Sequence, residues 1–429
     1  MIYWTIFFCA IYAVLSIQIS KKIINPMLIF MLVWAVMLFM NSLRLLTLYK
    51  TEDKYYQIMA LGFHSYFVGY LISSLMKRKS NHNRVYILRN QFLYGLSIII
   101  LAILLVKFFS IFNSATKYGL ANIRKGLQTG ELEIYSSNSV LMSMLWHFIV
   151  YPGRLALSVI VSVNLLEKSK KNKLLLILYI LIIALSVLTD GGRSIILYLM
   201  IHLSLSYYYT YQPKPKDLVR NKYVIRISKK TIPIVSLCIV GIIAFYYATI
   251  ARSGAKSLIH LYFYGSISPV MFQIWSKTVE TSGLFGFGLA SINGFISPLL
   301  YLIKTILGSD DLPFYWGQVV QKIYDTDQIW VRTSALSKSN AYVSLFWFFF
   351  LDGRLLGVIW GMFIYGLLSN TVFKNYMKYR NAISLSVLQF WIQGLLFSGV
   401  RLQFAIMPYA LALVIIYLSF SKRNQTVAL

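Results

Sequence analysis

Long apolar runs separated by short polar stretches make up most of this chain. The runs are about 20 residues long, the length that crosses a bilayer as a helix. They cover residues 2–19, 27–48, 55–76, 91–112, 139–166, 174–188, 195–211, 231–250, 355–373, 382–400 and 403–420. Two further apolar stretches, 258–275 and 284–307, are interrupted by glycine and proline, which is typical of broken or re-entrant helices. The pattern predicts an all-α, polytopic integral membrane protein with about 11–13 transmembrane helices.

The composition agrees with that pattern and excludes a soluble domain. Hydrophobic residues make up 58% of the 429 residues, charged residues only 13%, and the mean hydropathy is +0.66. A soluble protein carries about 25% charged residues. Because no stretch resembles a soluble appendage of domain size, we expect a single integral membrane domain over residues 1–429. Within it, we expect residues 251–354 to be largely extracytoplasmic.

The basic residues lie in short clusters between the apolar runs, which indicates membrane orientation and argues against nucleic-acid binding. The net charge is +28, but clustered lysines and arginines beside membrane runs are the positive-inside signal. The clusters are Lys21-Lys22 and residues 77–84, 167–173, 213–230, 374–380 and 421–424. They follow every second run, beginning with the first. This alternation predicts an N-terminus outside and a cytoplasmic C-terminus.

The sequence carries no motif for a nucleotide, metal or redox cofactor. It has no phosphate-binding glycine loop, no dinucleotide fingerprint and no His/Cys cluster with metal-ligand spacing. The two cysteines, Cys9 and Cys238, lie inside apolar runs, which argues against a disulfide or a thiolate metal site. We therefore expect no cofactor and no metal.

A set of arginines on the predicted outer side carries the main functional signal. They are Arg154, Arg193, Arg252, Arg332, Arg354 and Arg401. Taken singly, an arginine at a helix end is explained without a binding or catalytic function, because its long side chain reaches the lipid headgroups. As a set they are unexpected, because positive charge is normally depleted on the outer side. The planar guanidinium matches phosphate oxygens bidentately, so we interpret the set as candidate ligands for a lipid diphosphate.

Arg154 differs from the others because it lies inside an apolar run, directly after the Pro152–Gly153 pair. An ionisable residue inside a membrane helix is a functional candidate by default. We expect the Pro-Gly pair to break the helix and open it to a cavity, and the alternative is that Arg154 snorkels outward.

Two acids are each followed by glycine and then arginine at a predicted outer helix boundary. Asp190 stands in "DGGR" and Asp352 in "DGR". One interpretation is a tight turn with a local ion pair; the other is a general base beside a phosphate clamp. The first is favoured for Asp190, and the two are balanced for Asp352. His147, His260 and Glu280 are weaker candidates for the base.

Four stretches give the chain a resemblance to a known family. They are "NPMLIFMLVWAVMLFM" (25–40), "TDGGRSIILYLM" (189–200), "FGFGLASINGFIS" (285–297) and "SNAYVSLFWFFFLDGRLLGVIWG" (339–361). In these motifs and in its whole layout, the chain resembles the Wzy-type polymerases of bacterial O-antigen, capsular and exopolysaccharide repeat units. One departure is Arg354, which stands where the family pattern leads us to expect an aromatic or small residue.

The resemblance implies a glycosyltransferase acting on the outer face of the bacterial plasma membrane. A growing glycan on polyprenyl (undecaprenyl) diphosphate is the implied donor, and a new lipid-linked repeat unit is the implied acceptor. Because the lipid diphosphate is a good leaving group, such an enzyme needs mainly positioning and charge neutralisation, which arginines supply without a metal. Further implied partners are the lipid bilayer, a flippase and a chain-length regulator.

Three alternatives share parts of this pattern. A lipid-linked oligosaccharide flippase or other transporter also needs cationic cavities, but the long 251–354 stretch and the lack of internal repeats argue against it. A ligase that moves finished glycan from the lipid carrier to another acceptor shares the arginine clamp, and the sequence separates it poorly from a polymerase. A structural scaffold of envelope assembly is the third, and its arginines should tolerate substitution.

The predicted orientation is tested by labelling single cysteines placed at Ser194 and Ser169. Reagents that cannot cross the membrane should label Ser194→Cys and leave Ser169→Cys unlabelled in intact cells, because the basic cluster at 167–173 is assigned to the cytoplasm. The reverse labelling pattern would show that the charge topology is inverted.

Overall fold

The computed structural model describes residues 1–76, 85–118, 140–166, 172–190, 194–210, 257–307 and 314–423. These residues are largely helical, and their strands form two small two-stranded sheets, none of them closed. The all-α class predicted from the apolar pattern is therefore confirmed for this part of the chain.

The described helices, numbered along the chain, are α1 (Ile2–Ser20), α2 (Pro26–Ser42), α3 (Asp53–Leu75), α4 (Asn90–Tyr118), α5 (Val140–Leu145), α6 (Tyr151–Leu166), α7 (Lys173–Asp190), α8 (Ser194–Thr210), α9 (Ser257–Ser266), α10 (Ser268–Ser282), α11 (Leu289–Leu307), α12 (Phe314–Gln328), α13 (Ser344–Tyr379), α14 (Ala382–Leu396) and α15 (Met407–Leu418). The strands are β1 (Val85–Leu88), β2 (Val331–Arg332), β3 (Lys338–Ser339) and β4 (Phe420–Arg423). Strand β1 pairs with β4 and β2 with β3, both antiparallel.

Several of these helices have the length and composition of membrane spans. Among the described residues, 5 helices are long and apolar enough to cross a membrane: Ile2–Ser20, Asp53–Leu75, Asn90–Phe109, Leu141–Leu166 and Ser344–Tyr379. Shorter apolar helices accompany them, including α2, α14 and α15. The apolar run at 231–250 lies outside the described residues. The total of 11–13 crossings, which comes from span length alone, stays a prediction.

Contacts divide the chain into two compact units. Unit 1 comprises Met1–Asn83, Leu258–Arg380 and Trp391–Leu411. Unit 2 comprises Arg84–Ser257, Asn381–Phe390 and Ala412–Leu429. Each unit is assembled from segments that are distant in the sequence.

An aromatic core fills unit 1. The α2 helix begins where its sequence predicts, because the Asn25 side chain accepts a hydrogen bond from the Leu28 N–H (2.9 Å) and Pro26 occupies the first turn. Trp34, in the middle of α2, meets the Phe346 ring at a centroid distance of 4.9 Å. Phe63 of α3 lies 5.2 Å from the same ring, so one phenylalanine of α13 joins three helices.

The two ends of unit 1 carry different charged groups. At one end the amino group of Met1 lies 3.7 Å from the Asp53 carboxylate. At the other end burial and the neighbouring Arg380 guanidinium lower the pKa of Lys22. The Lys374 ammonium donates at that end to the carbonyls of Ser73 (2.8 Å), Ser74 and Met76, where the negative end of the α3 dipole favours a cation.

Helix α13 is a hairpin of two helical arms, residues 344–352 and 355–379. Between the arms, Gly353 (φ −164°, ψ 28°) and Arg354 (φ 54°, ψ −136°) leave the helical conformation. The ring of Phe349 lies 6.5 Å from that of Tyr365, although these residues would be about 24 Å apart along a straight helix. The first arm is buried throughout, so part of the stretch predicted to be extracytoplasmic lies inside unit 1.

Glycines let the long arm of α13 pack closely on α3. A Cβ added at Gly69 would collide with the backbone carbonyl of Phe363, and one added at Gly366 would collide with that of Tyr66. Small residues at a helix–helix contact allow such an approach of two backbones. The Asn370 side-chain amide then donates to the Tyr70 carbonyl at 2.8 Å, which fixes the register of the pair.

A non-helical segment after α14 meets the beginning of α13. The N–H groups of Ser344 and Leu345 start a helix and have no partner within it. They donate to the carbonyls of Val400 (3.1 Å) and Ser398 (2.8 Å). The Trp34 indole N–H donates to the Ser398 hydroxyl at 3.0 Å. The first N–H groups of α13 thus bind the carbonyls of the non-helical segment after α14. Irregular backbone that is shielded from water needs such partners.

Unit 2 is held by buried polar contacts between helices. The Ser158 hydroxyl of α6 lies 2.9 Å from His202 Nδ1 of α8. Ser162 donates to the Gln389 side-chain carbonyl at 3.1 Å, and Ser206 donates to Ser162 at 3.2 Å. Polar side chains in an apolar interior find such partners because an unpaired polar group there is costly.

The predicted break at Pro152–Gly153 is absent, and this prediction is wrong. Helix α6 runs through both residues, and the irregular turn is a π-helical segment at Trp146–Val150, just before it. Proline at this position needs no break, because its missing N–H falls where the π-helical turn has already disturbed the hydrogen-bond ladder.

The tight α3–α13 contact makes a specific prediction for Gly366→Ala. Alanine raises helix propensity by about 1 kcal/mol, but here its methyl group forces the two backbones apart, and overpacking of this kind costs about 1–3 kcal/mol. We expect a lower unfolding temperature of the detergent-solubilised protein, measured by size-exclusion chromatography after heating.

The matched control is Gly95→Ala in α4, where an added Cβ would meet nothing within 4 Å. This variant should unfold at the wild-type temperature or above it. Equal behaviour of the two variants would show that the glycine contact does not govern stability.

Candidate functional site

The Asp352 carboxylate caps helix α11. Its Oδ1 accepts a hydrogen bond from the Ala290 N–H (2.8 Å), and its Oδ2 accepts one from the Ser291 N–H (2.9 Å). These N–H groups belong to the first turn of α11, where an α-helix leaves its donors unpaired. A carboxylate at this end also complements the positive end of the helix dipole. Both oxygens of Asp352 therefore have a structural partner.

The loop before α11 packs directly on the turn of the α13 hairpin. The Gly286 N–H donates to the Leu351 carbonyl (2.7 Å), and the Phe287 N–H donates to the Asp352 carbonyl (2.9 Å). A Cβ at Gly286 would collide with Asp352, and Gly288 has a φ of +91° that favours glycine. The stretches "FGFGLASINGFIS" and "LDGR", far apart in the sequence, thus form one structural element.

Arg354 is the residue at which the hairpin turns. Its φ of 54° is uncommon for a residue with a side chain, and backbone held in such a region costs about 1–3 kcal/mol. Its Nη2 donates to the Val279 carbonyl at 2.8 Å, and its guanidinium lies 4.5 Å from the centre of the Phe285 ring. Its Nη1 is buried and has no hydrogen-bond partner among the described residues. A buried cationic donor without a partner points to an anionic ligand.

A cleft of about 310 Å³ opens beside the hairpin turn. It is lined by Lys54, Gln57, Ile58, Leu61, Glu280, Phe350, Arg354 and Leu355. The ammonium of Lys54 lies 2.7 Å from the Glu280 carboxylate. Leu61 and Leu355, which also line the cleft, are 41% and 39% exposed, so part of the wall is apolar and open. The cleft joins cations to an apolar opening, which suits an amphipathic anion.

Glu280 is better placed than Asp352 to take a proton from a substrate. Glu280 lines the cleft, whereas both Asp352 oxygens are bound to the backbone of α11. The sequence pattern favours Asp352 over Glu280 and does not single out Lys54 or Gln57. A usable signal was present, because positions 54, 57 and 61 share one face of α3 at helical spacing.

Arg401 joins the segment between α14 and α15 to the end of helix α12, and it lies apart from the residues that line the cleft. Its Nη1 donates to the Asp327 carboxylate at 2.7 Å. The loop that follows Asp327 is held by Asn340, whose side chain donates to the Asp327 carbonyl at 2.5 Å. In this arrangement the Arg401 charge is paired with a carboxylate.

Arg332 lies on a small hairpin, also apart from the residues that line the cleft. It belongs to β2, where it stands directly opposite Lys338 of β3, and both side chains are exposed. The structure therefore places Arg332, Arg354 and Arg401 of the predicted clamp in three different surroundings.

Arg154 is buried in unit 2, among aromatic rings. Its guanidinium lies 4.7 Å from the centre of the Tyr151 ring and 5.5 Å from that of Trp146. The Lys107 ammonium lies 3.7 Å from the Trp146 ring centre. His147 lies in the π-helical turn beside them. Cation–π contacts stabilise a charge where water is scarce, so the structure supports neither the expected break nor a simple outward snorkel.

The structure gives no side-chain geometry for the remaining candidates, Arg193, Arg252, Asp190 and His260. Arg193 and Arg252 lie outside the described residues. Asp190 ends α7, and His260 lies in α9, but their side chains are not among those described. In the described ranges, no group of three or more His, Cys, Asp or Glu side chains has an arrangement that would hold a metal ion.

Comparison with protein-family models, with curated proteins and with solved structures gives no match to this chain.

The cap at α11 predicts how Asp352 variants behave. Asp352→Ala removes both hydrogen bonds, and loss of a cap costs about 1–2 kcal/mol, so the purified protein should unfold at a lower temperature. Asp352→Asn keeps one acceptor oxygen and should lie between alanine and wild type. Thermal unfolding followed by tryptophan fluorescence measures both variants. An Asp352→Asn protein with wild-type stability and no activity would identify Asp352 as a catalytic base instead.

Proposed function

We propose that the protein is an extracytoplasmic glycosyltransferase that polymerises polyprenyl-diphosphate-linked oligosaccharide repeat units into a surface polysaccharide. The observation that carries the proposal is the cleft at the α13 turn, where the buried Arg354 Nη1 has no partner among the described residues. A diphosphate oxygen would satisfy this donor and neutralise its charge.

The two sides of the cleft match the two halves of such a substrate. Arg354 and Lys54 line the cleft on the side where the negatively charged diphosphate would lie, and the Lys54 ammonium would exchange its ion pair with Glu280 (2.7 Å) for a diphosphate oxygen. Leu61 and Leu355, both partly exposed, lead from these cations towards the apolar surroundings that an isoprenoid chain would occupy. The volume of about 310 Å³ suits the diphosphate headgroup, while the oligosaccharide extends beyond it.

The reaction requires one bond to form and one to break at the anomeric carbon of the donor. A hydroxyl of the acceptor sugar attacks this carbon, and the bond from carbon to the diphosphate oxygen breaks with its electron pair. Arg354 and Lys54 stabilise the negative charge that develops on the leaving diphosphate. Glu280 accepts the hydroxyl proton, since its carboxylate lines the same cleft.

Support for a polymerase also comes from the motifs that carry the family resemblance. The glycine-spaced stretch 285–297 and the "LDGR" stretch form the two walls of the hairpin turn. Arg354 itself departs from the family pattern, so its role in the cleft rests on the geometry and not on the resemblance. These contacts are the physical reason to favour a lipid-diphosphate site over a scaffold without chemistry.

The proposal predicts loss of chain extension in Arg354→Ala and in Lys54→Ala. Removing one preorganised charge contact to a leaving group lowers turnover by about a hundredfold or more. Arg354→Lys should recover only part of the activity, because an ammonium cannot replace the bidentate fork. The measurement is gel analysis of surface glycan from cells that produce each variant at wild-type membrane levels.

Lys322→Ala is the matched control, since it removes one positive charge from α12, outside the cleft. Its glycan ladder should be unchanged. Arg193→Ala and Arg252→Ala belong in the same series, because the sequence assigns both residues to the clamp. A full-length ladder from the Arg354→Ala/Lys54→Ala double variant would exclude the proposed site.

The same gels distinguish the proposed polymerase from its alternatives. Loss of the ladder with a single repeat unit retained indicates a polymerase. Loss of all surface glycan indicates a ligase or a flippase.

A further inference from the structure

The hairpin of residues 329–339 presents a surface that the proposed reaction does not use. We infer that this hairpin binds the headgroups of anionic phospholipids and inserts its apolar side chains into the membrane interface. The inference depends on the predicted membrane location of the helices and is independent of the proposed reaction.

The hairpin is a rigid element fixed to the end of the helix bundle. Its inner face is joined by the hydroxyls of Thr333 and Ser339, 3.1 Å apart. The Tyr49 N–H donates to the Thr333 carbonyl at 3.0 Å, and Leu48 forms a β-bridge with Ser334. The hairpin thus pairs with the segment 43–52, which connects α2 to α3.

This attachment sets the depth of the hairpin. Helix α2 ends at Ser42 and α3 begins at Asp53, so the segment between them lies where both helices leave the membrane in the predicted topology. A β-hairpin bonded to that segment is held at the level of the lipid headgroups.

Large apolar side chains are exposed on this surface. Leu336 is 76% exposed, Trp330 59% and Ile329 48%, and Leu43 and Leu45 of the paired segment are exposed as well. Tryptophan is enriched at membrane–water interfaces, where its ring is half in apolar and half in polar surroundings. An apolar group of this kind next to a membrane end is accounted for by the lipid interface.

Positive charge surrounds the apolar side chains. Arg332 and Lys338 stand directly opposite each other across the hairpin, and like charges in this position repel. Arg44 and Lys50 are exposed on the paired segment. No carboxylate among the described residues forms an ion pair with any of the four. A phosphate headgroup between Arg332 and Lys338 would attract both cations and offset their mutual repulsion. This charge complementarity selects an anionic lipid.

The first test measures binding of fluorescent phosphatidylglycerol to the full-length protein in neutral detergent. Arg332→Gln/Lys338→Gln should weaken binding by about fivefold for each charge removed. The swap Arg332→Lys/Lys338→Arg keeps both charges and should bind like wild type. A fluorescent phosphatidylcholine should bind equally to all three proteins.

Two results of this titration would overturn the inference. One is an unchanged affinity of the Gln variant for phosphatidylglycerol. The other is complete displacement of the lipid by millimolar inorganic phosphate, which would mean a simple anion site without a role for the apolar side chains. Because the substituted side chains are exposed, both variants should keep the wild-type elution profile.

The second test measures insertion directly. A fluorophore on Leu336→Cys, in a protein with Cys9 and Cys238 replaced by serine, should be quenched by brominated lipids in vesicles that contain phosphatidylglycerol. Quenching should decrease when Arg332→Gln/Lys338→Gln is added. A label that remains unquenched would place the hairpin in water and overturn the inference.

Discussion

The capping of α11 by the Asp352 carboxylate is the interaction on which the cleft depends. A chain that reverses inside an apolar interior leaves backbone groups without partners, and so does a helix that begins there. In unit 1 the free acceptors of the reversal bind the free N–H groups at the start of the helix. The turn of α13 supplies the carboxylate and two carbonyls, and the 286–291 segment supplies four N–H groups. Because Arg354 lies two residues after Asp352, the same contact that closes the reversal also holds the guanidinium at the cleft.

The arginines that the sequence groups into one clamp have separate physical roles in the structure. Arg354 has a free buried donor and faces a cleft, which is the arrangement that an anionic ligand requires. Arg401 is neutralised by Asp327 and connects the segment between α14 and α15 to the end of α12. Arg332 faces outward beside Lys338, where a charged headgroup suits it. These residues share only a predicted outer location, whereas their surroundings in the structure differ: an unsatisfied donor beside a cleft, an ion pair with a carboxylate, and an exposed side chain opposite a lysine.

Much of the fold was predictable because its signals are local. The Asn25–Pro26 pair marks the start of α2, and the long arm of α13 begins at residue 355, where the apolar run was placed. The reversal at Gly353–Arg354 was not predicted, because the first arm is a short apolar run whose direction depends on contacts with Phe63 and Gly361. The break expected at Pro152–Gly153 failed for a related reason, since proline is tolerated wherever the preceding turn has already lost its regular bonds.

The sequence by itself determined the helical class, the apolar spans and the alternation of basic clusters, because hydropathy and charge act through each residue's own preference for lipid or water. It also marked Asp352 and Arg354 as a special pair. Only the tertiary structure decided that the acid caps a distant helix, that Lys54 and Glu280 share the arginine's cleft, and that Arg332 lies on an exposed hairpin. These outcomes depend on hydrogen bonds and ion pairs between segments far apart in the chain, and local preference carries no information about which distant partner a polar group meets.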